Sequence, residues 1–144
     1  MMNSRLDSAF PELANAFRRA SASKRYNATR IACELAIAES RLDADLLSGP
    51  LIALRRGEVP ASTHREHMEA MAAELDREYL KLASEEDEIK NRESLRFFSK
   101  ARAASALAFA LTGDAEQLDE ALYEAIMAFD DPSVLFERVD DALR

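Results

Sequence analysis

Apolar residues recur along almost the whole chain at intervals of three and four, and no convincing run of strict alternation interrupts them, so the pattern predicts helices and no sheet. Leu6, Phe10, Leu13 and Phe17 make one helical stripe, and Pro11, tolerated only in a first turn, limits this first helix to about residues 9–20. A second helix starting after Ser23 puts Ala28, Ile31, Leu35, Ala38, Leu42 and Leu46 on one face. Gly49 supplies a left-handed stop and Pro50 prevents continuation, which ends this helix near Leu47. Pro50 also suits the first position of a short third helix that closes at Gly57, before the turn formed by Glu58, Val59 and Pro60.

Thr63 and Glu66 have the spacing of a capping box, so a fourth helix is expected to open there and run to about Ala83 with Met68, Met71, Ala72, Leu75, Tyr79 and Leu82 facing inward. Ser84 and the acids that follow it, Glu85 to Glu88, read as the start of a fifth helix, where negative charge opposes the positive end of the helix dipole. Beyond Arg102 this helix becomes apolar all round, from Ala103 to Leu111 with Ser105 the only polar side chain, and such a segment is normally surrounded by other helices. It is therefore expected at the centre of the fold, ending at Gly113. A sixth helix capped by Asp114 buries Leu118, Leu122, Ala125, Ile126 and Phe129, and a seventh starting at Asp131 and Pro132 carries Val134, Leu135, Val139 and Leu143. With no linker and no repeat at a fixed period, residues 1–144 read as one all-α domain, a multi-helix bundle of about six or seven helices around a central alanine-rich helix.

Composition supports this reading. Only three glycines and four prolines accompany 48% apolar residues, which fits neither a disordered chain nor a loop-rich β-protein. The apolar run from Ala103 falls far short of the roughly 20 residues needed to cross a bilayer. Asp7 and Pro11 interrupt the region where a secretory signal would be apolar, and the single cysteine, Cys33, suits a reducing compartment, so a cytoplasmic protein is expected. The net charge of -8 is uneven: residues 1–30 carry six Lys or Arg against two acids, and residues 114–144 carry ten acids against two arginines. A polyanion such as nucleic acid is a poor match for that balance, whereas a basic protein partner suits it.

Candidate chemistry is sparse. His64 and His67, three residues apart with Glu66 and Glu69 nearby, could offer two imidazoles to a metal, but a zinc site needs a third protein ligand and the Glu-x-x-His arrangement of di-iron bundles is absent. They read instead as the wet first turn of the fourth helix. Cys33 lies in an alanine-rich helix without an adjacent base and reads as a buried thiol. Glycines sit only at expected helix ends, so no loop cradles a phosphate. No cofactor or metal is expected. The stretch RIACELAIAESRLDADL, residues 30–46, resembles a helix-turn-helix DNA-binding element superficially, but Ala36 stands where glycine is preferred and the would-be reading helix presents Glu39, Asp43 and Asp45 to phosphates. A helix-turn-helix regulator is therefore the alternative reading. The basic residues Arg18, Arg19, Lys24 and Arg25 span a helix end and the next start, where cations are locally favourable.

The acids of the last third are the most suggestive set. Helical spacing puts Glu116, Glu120 and Glu124 on one slowly turning outer strip with Tyr123 beside it, and Asp119, Asp130 and Asp131 extend the negative surface. Carboxylates around a tyrosine are a suitable hot spot for a basic partner. Small acidic helical domains of this kind are similar in character to bacterial immunity proteins that neutralise basic toxins, nucleases in particular; the similarity lies in composition and architecture, and no motif carries it. It implies a non-enzymatic binding module that masks a basic protein, with Glu116, Asp119, Glu120, Tyr123, Glu124, Asp130 and Asp131 as the partner-binding residues.

Overall fold

A computed structural model describes residues 4–84 and 87–144. Among them are eight helices and no strand: α1 Arg5–Ala9, α2 Pro11–Arg19, α3 Ala22–Ser40, α4 Ser48–Arg56, α5 Ser62–Ala83, α6 Glu88–Ala110, α7 Gln117–Met127 and α8 Ser133–Leu143. The chain is all-helical, as the periodicity predicts. The extra helix comes from Pro11. It does not sit in the first turn of a helix beginning at residue 9; it is the first residue of α2, and a separate turn of helix, α1, precedes it. A reciprocal cap holds α1 in place: the Asp7 N–H donates to Ser4 Oγ and the Ser4 N–H donates to Asp7 Oδ2 at 2.9 Å.

α6 occupies the middle. Ala103, Ala104, Ala106, Leu107, Ala108 and Ala110 are all buried, and the helix packs on α5, α3 and α7. Alanine leaves almost no side chain between backbones, so three neighbours can close on one helix. α3 answers with the same chemistry. Its buried residues are Ala28, Thr29, Ala32, Cys33, Ala36, Ile37 and Ser40, a face rotated by about one position from the expected stripe, with Ile31 and Leu35 half-buried and Ala38 exposed. Small residues face α6, α7 and α8, and the bulkier ones fall to the edges of the contact.

α3 also ends earlier than its stripe suggests. It stops at Ser40, with Arg41 in the left-handed conformation at φ 61°, and the Asp43 carboxylate accepts the Asp45 N–H in a local turn. Leu46, expected on the buried face, is 67% exposed. Gly49 is consequently not a helix stop; it lies in the first turn of α4, and a Cβ there would meet His64 Cε1 at 2.7 Å. Gly57 does close α4 with φ 67°. The Thr63 and Glu66 capping box does not form: α5 begins after Ala61, whose N–H donates to the Leu111 carbonyl at 3.0 Å, so a neighbouring helix end fixes this entry instead of a side chain. At the other end of the α5/α6 hairpin, the expected acidic start of α6 is partly outside the described residues, and Asp87 caps the helix by accepting the Ile89 N–H. Asp114 and Asp131 orient the entries to α7 and α8 by accepting the N–H groups of Glu116 and Ser133. Val134 of α8, expected in the core, is exposed, whereas Leu135, Val139 and Leu143 are buried.

Candidate interaction surfaces

The acidic strip of α7 is where the sequence points, and most of it is already occupied by arginines of the same chain. Glu124, expected on the outer face, is instead buried at 3% exposure, because α7 turns it toward Arg5 and Arg102. Its carboxylate accepts from Arg5 Nη2 at 3.0 Å and from Arg102 Nη1 at 2.9 Å. Arg102 donates in turn to both oxygens of Asp76 on α5, at 2.9 and 2.7 Å, and Arg5 Nε donates to Glu120 at 2.8 Å. Arg5 further lies over the Tyr123 ring at 4.5 Å and Arg102 over Phe98 at 5.4 Å, so the cations are held by carboxylates and aromatic faces together. This chain of charge joins α1, α5, α6 and α7. Burial works against the charge on Arg5, but the hydrogen bonds of Glu120 and Glu124 outweigh it and the guanidinium pKa rises.

A second knot lies beside the first. Arg18 of α2 bonds both carboxylate oxygens of Asp7 and reaches Asp119 at 3.0 Å. The Arg18 hydrogen bonds hold the Asp7 carboxyl down at about 2, below its usual 3.8, with Ser4 adding to the effect. Of the seven residues expected to bind a partner, Asp119, Glu120 and Glu124 thus carry intramolecular ion pairs and Tyr123 supports a cation. Glu116, Asp130 and Asp131 stay exposed, and Asp131 is held by Ser133, whose hydroxyl and N–H lower its pKa. Arg5, Asp76 and Arg102 are the functional partners that helical spacing along one segment cannot reveal.

The other candidates separate. His64 is half-buried against Gly49 and His67 is exposed, and among the described residues no three His, Cys, Asp or Glu side chains are placed to hold a metal ion. Cys33 is buried and its thiol is pushed up to about 12 by desolvation, far from a thiolate nucleophile. α3 runs without a break through Ala36, so residues 30–46 form one helix end and a loop, with no turn between two short helices. The basic group disperses: Arg18 is paired as above and Lys24 Nζ donates to the Arg144 carbonyl at 2.6 Å. No helix among the described residues is long and apolar enough to cross a membrane.

One surface feature combines apolar and acidic character without internal neutralisation. Between α2 and α8 lies a groove of about 460 Å³ lined by Phe10, Pro11, Leu13 and Phe136, with Glu12 and Asp140 at its edge. Phe10 and Phe136 meet edge to face with centroids 5.4 Å apart. Neither Glu12 nor Asp140 forms an ion pair among the described residues. Phe136 could have been suspected from sequence as an aromatic residue set among Glu137, Asp140 and Asp141, but the groove exists only because Pro11 starts α2 beside α8.

No protein-family model, no curated protein and no solved structure matches this chain.

Proposed function

We propose that the chain is a non-enzymatic binding module of the cytoplasm that masks a basic protein, in the manner of an immunity or inhibitor protein directed at a basic toxin. The observation that carries this reading is the α2/α8 groove: an aromatic floor from Phe10 and Phe136 with the free carboxylates of Glu12 and Asp140 beside it. Such a groove accepts an apolar side chain from a segment whose flanking Lys or Arg residues meet the acids, which is the composition of a binding hot spot. Glu137 on the same helix adds a further carboxylate, and the net charge of -8 favours the approach of a cation. The α7 strip has a different part in this reading: Asp119, Glu120 and Glu124 hold α1 and α2 against α7 through Arg5 and Arg18, and so fix the wall from which Phe10 and Glu12 project. Glu116, Asp130 and Asp131 lie outside the groove and contribute only to the overall negative charge of the chain.

The test uses the full chain as bait in a lysate of its native host at low and high salt, beside a Glu12→Lys/Asp140→Lys variant. A basic protein retained by the natural chain, released as salt rises and not retained by the variant, supports masking through the groove. Undiminished retention by the variant refutes the groove, and retention of nothing but nucleic acid refutes the function.

A further inference from the structure

A second cavity, of about 580 Å³, lies between the carboxyl end of α3, the middle of α6 and the α7/α8 turn, and it has the opposite electrostatic character. Arg41, Arg92, Arg96 and Lys100 line it, against the two carboxylates of Glu39 and Asp130. Among the described residues none of the four cations forms an ion pair, although Arg5, Arg18, Arg30, Arg55 and Arg102 are all paired with carboxylates within the chain. Lys100 has only the Phe97 ring, at 6.0 Å. Four cations that face one cavity without an ion pair give it the electrostatics of an anion site.

The arrangement costs the fold something. Arg92, Arg96 and Lys100 stand four residues apart on one face of α6, about 6 Å per step, and like charges at that spacing repel. Arg41 sits across from them in the left-handed conformation, φ 61°, which an L side chain other than Asn or Asp seldom adopts. The repulsion between the α6 cations is relieved by a bound anion, and the left-handed backbone of Arg41 is a separate cost that glycine would remove.

We propose that this cavity binds a small molecule carrying two or more linked phosphates. Its volume lies in the range of small-ligand sites, roughly 300–1,000 Å³, and not of a long groove. Guanidinium forks match phosphate oxygens in pairs, and three cations strung along α6 with a fourth opposite span more than one phosphate. Four positive against two negative side chains leave a surplus that suits a compact polyanion, whereas a long nucleic acid would also meet the rest of a chain of net charge -8. The carboxylates of Glu39 and Asp130 are placed to accept from hydroxyl groups on the organic part of such a ligand, and Leu95, 59% exposed at the cavity, offers it an apolar face. The hydroxyls of Ser40 and Ser99 are spent on the carbonyls of Ile37 and Ala128, so recognition rests on the charged groups. This site is separate from the α2/α8 groove and stands or falls independently of it.

Calorimetric titration of the full chain at physiological salt with pyrophosphate, ATP, orthophosphate and a single-stranded 20-mer oligonucleotide tests the proposal. Pyrophosphate and ATP are expected to bind, orthophosphate at least about tenfold more weakly, and Arg92→Gln/Arg96→Gln to weaken the first two by about tenfold or more. Arg41→Gly, which relieves the left-handed backbone and so folds at least as well, is expected to weaken them too while leaving thermal stability unchanged or higher. Absence of binding by pyrophosphate and ATP at millimolar concentration, binding that the arginine variants leave unaltered, or preference for the oligonucleotide would each overturn it.

Discussion

Glu124 is the sharpest place to distinguish a binding residue from a structural one. Glu124→Gln keeps the shape of the side chain and removes its charge. Two charge-assisted hydrogen bonds meet at this carboxylate, from Arg5 and Arg102, and such bonds contribute about 1.5–3 kcal/mol each. The amide keeps one oxygen as an acceptor but turns an NH2 group toward the other guanidinium, so one of the two bonds is lost and replaced by a donor facing a donor. Breaking a fully buried pair costs about 3–5 kcal/mol. Here the cost is smaller, because Arg102 keeps Asp76 and Arg5, with a side chain 48% exposed, keeps Glu120 and water. The expected loss is about 2–3 kcal/mol, or a fall in melting temperature of roughly 5–10 °C for a chain of this size. Urea unfolding followed by circular dichroism reads it, and a cycle with Arg102→Gln should return a coupling of about 1–3 kcal/mol. A loss below about 0.5 kcal/mol, the ordinary range of a surface substitution, would refute the structural role of the Arg5, Arg102 and Glu124 network. If the same variant also lost a partner while keeping its stability, Glu124 would return to the binding surface.

Further outcomes follow from single sites. Asp7 has its pKa lowered to about 2 by Arg18, so its contribution to stability is present above about pH 4 and lost as pH falls through 2; Asp7→Asn should flatten the acid limb of a pH-stability profile in that window, and an unaltered limb would exclude the pair as its source. Cys33 has its thiol raised to about 12, so stability is full below pH 9 and declines as pH climbs toward 12, a limb that Cys33→Ala should remove; in the native protein a thiol reagent should react at least about a hundredfold more slowly than in denaturant. Gly113 and Gly57 both have positive φ, but only at Gly113 would a Cβ meet the backbone, Pro60 N at 2.9 Å. Gly57→Ala should therefore cost about 1 kcal/mol and Gly113→Ala about 2–3 kcal/mol in the same unfolding assay, and equal costs would show that the close approach to Pro60 does not matter.

The long helices were legible because their apolar faces are wide and their neighbours small. Ala103 to Leu111 needs no context to be read as central, since a helix apolar all round has nowhere else to go. Periodicity failed where it continued past a physical stop. Leu42 and Leu46 prolong the stripe of α3, yet the chain has already turned at Arg41, a left-handed residue that is not glycine and so gives no signal, while Asp43 competes locally for the Asp45 N–H. Thr63 failed for the opposite reason: its spacing to Glu66 is right, but the tertiary bond from Ala61 to Leu111 sets the start of α5. The α7 acids were correctly seen as a helical strip, but counting charges along one segment cannot reveal that Arg5, 115 residues from Glu120, closes on it.

That distinction between formal and available charge changes what the composition means. An excess of ten acids over two arginines in residues 114–144 suggests a negative surface, but the strongest part of it is consumed in joining α1 and α2 to α7. Two surface features keep unpaired charge with one sign dominant at each. Uncompensated carboxylates edge the aromatic groove between α2 and α8, and uncompensated arginines line the cavity between α3, α6 and the α7/α8 turn. Because the Glu124 carboxylate is buried and poorly screened while exposed charges are strongly screened, salt should leave the contact between Arg102 and Glu124 largely intact while weakening whatever either surface binds. The network adds to the apolar contacts of Leu6, Leu13, Ala14 and Phe17 in fixing the amino-terminal helices, and with them the wall of the groove that carries Phe10 and Glu12.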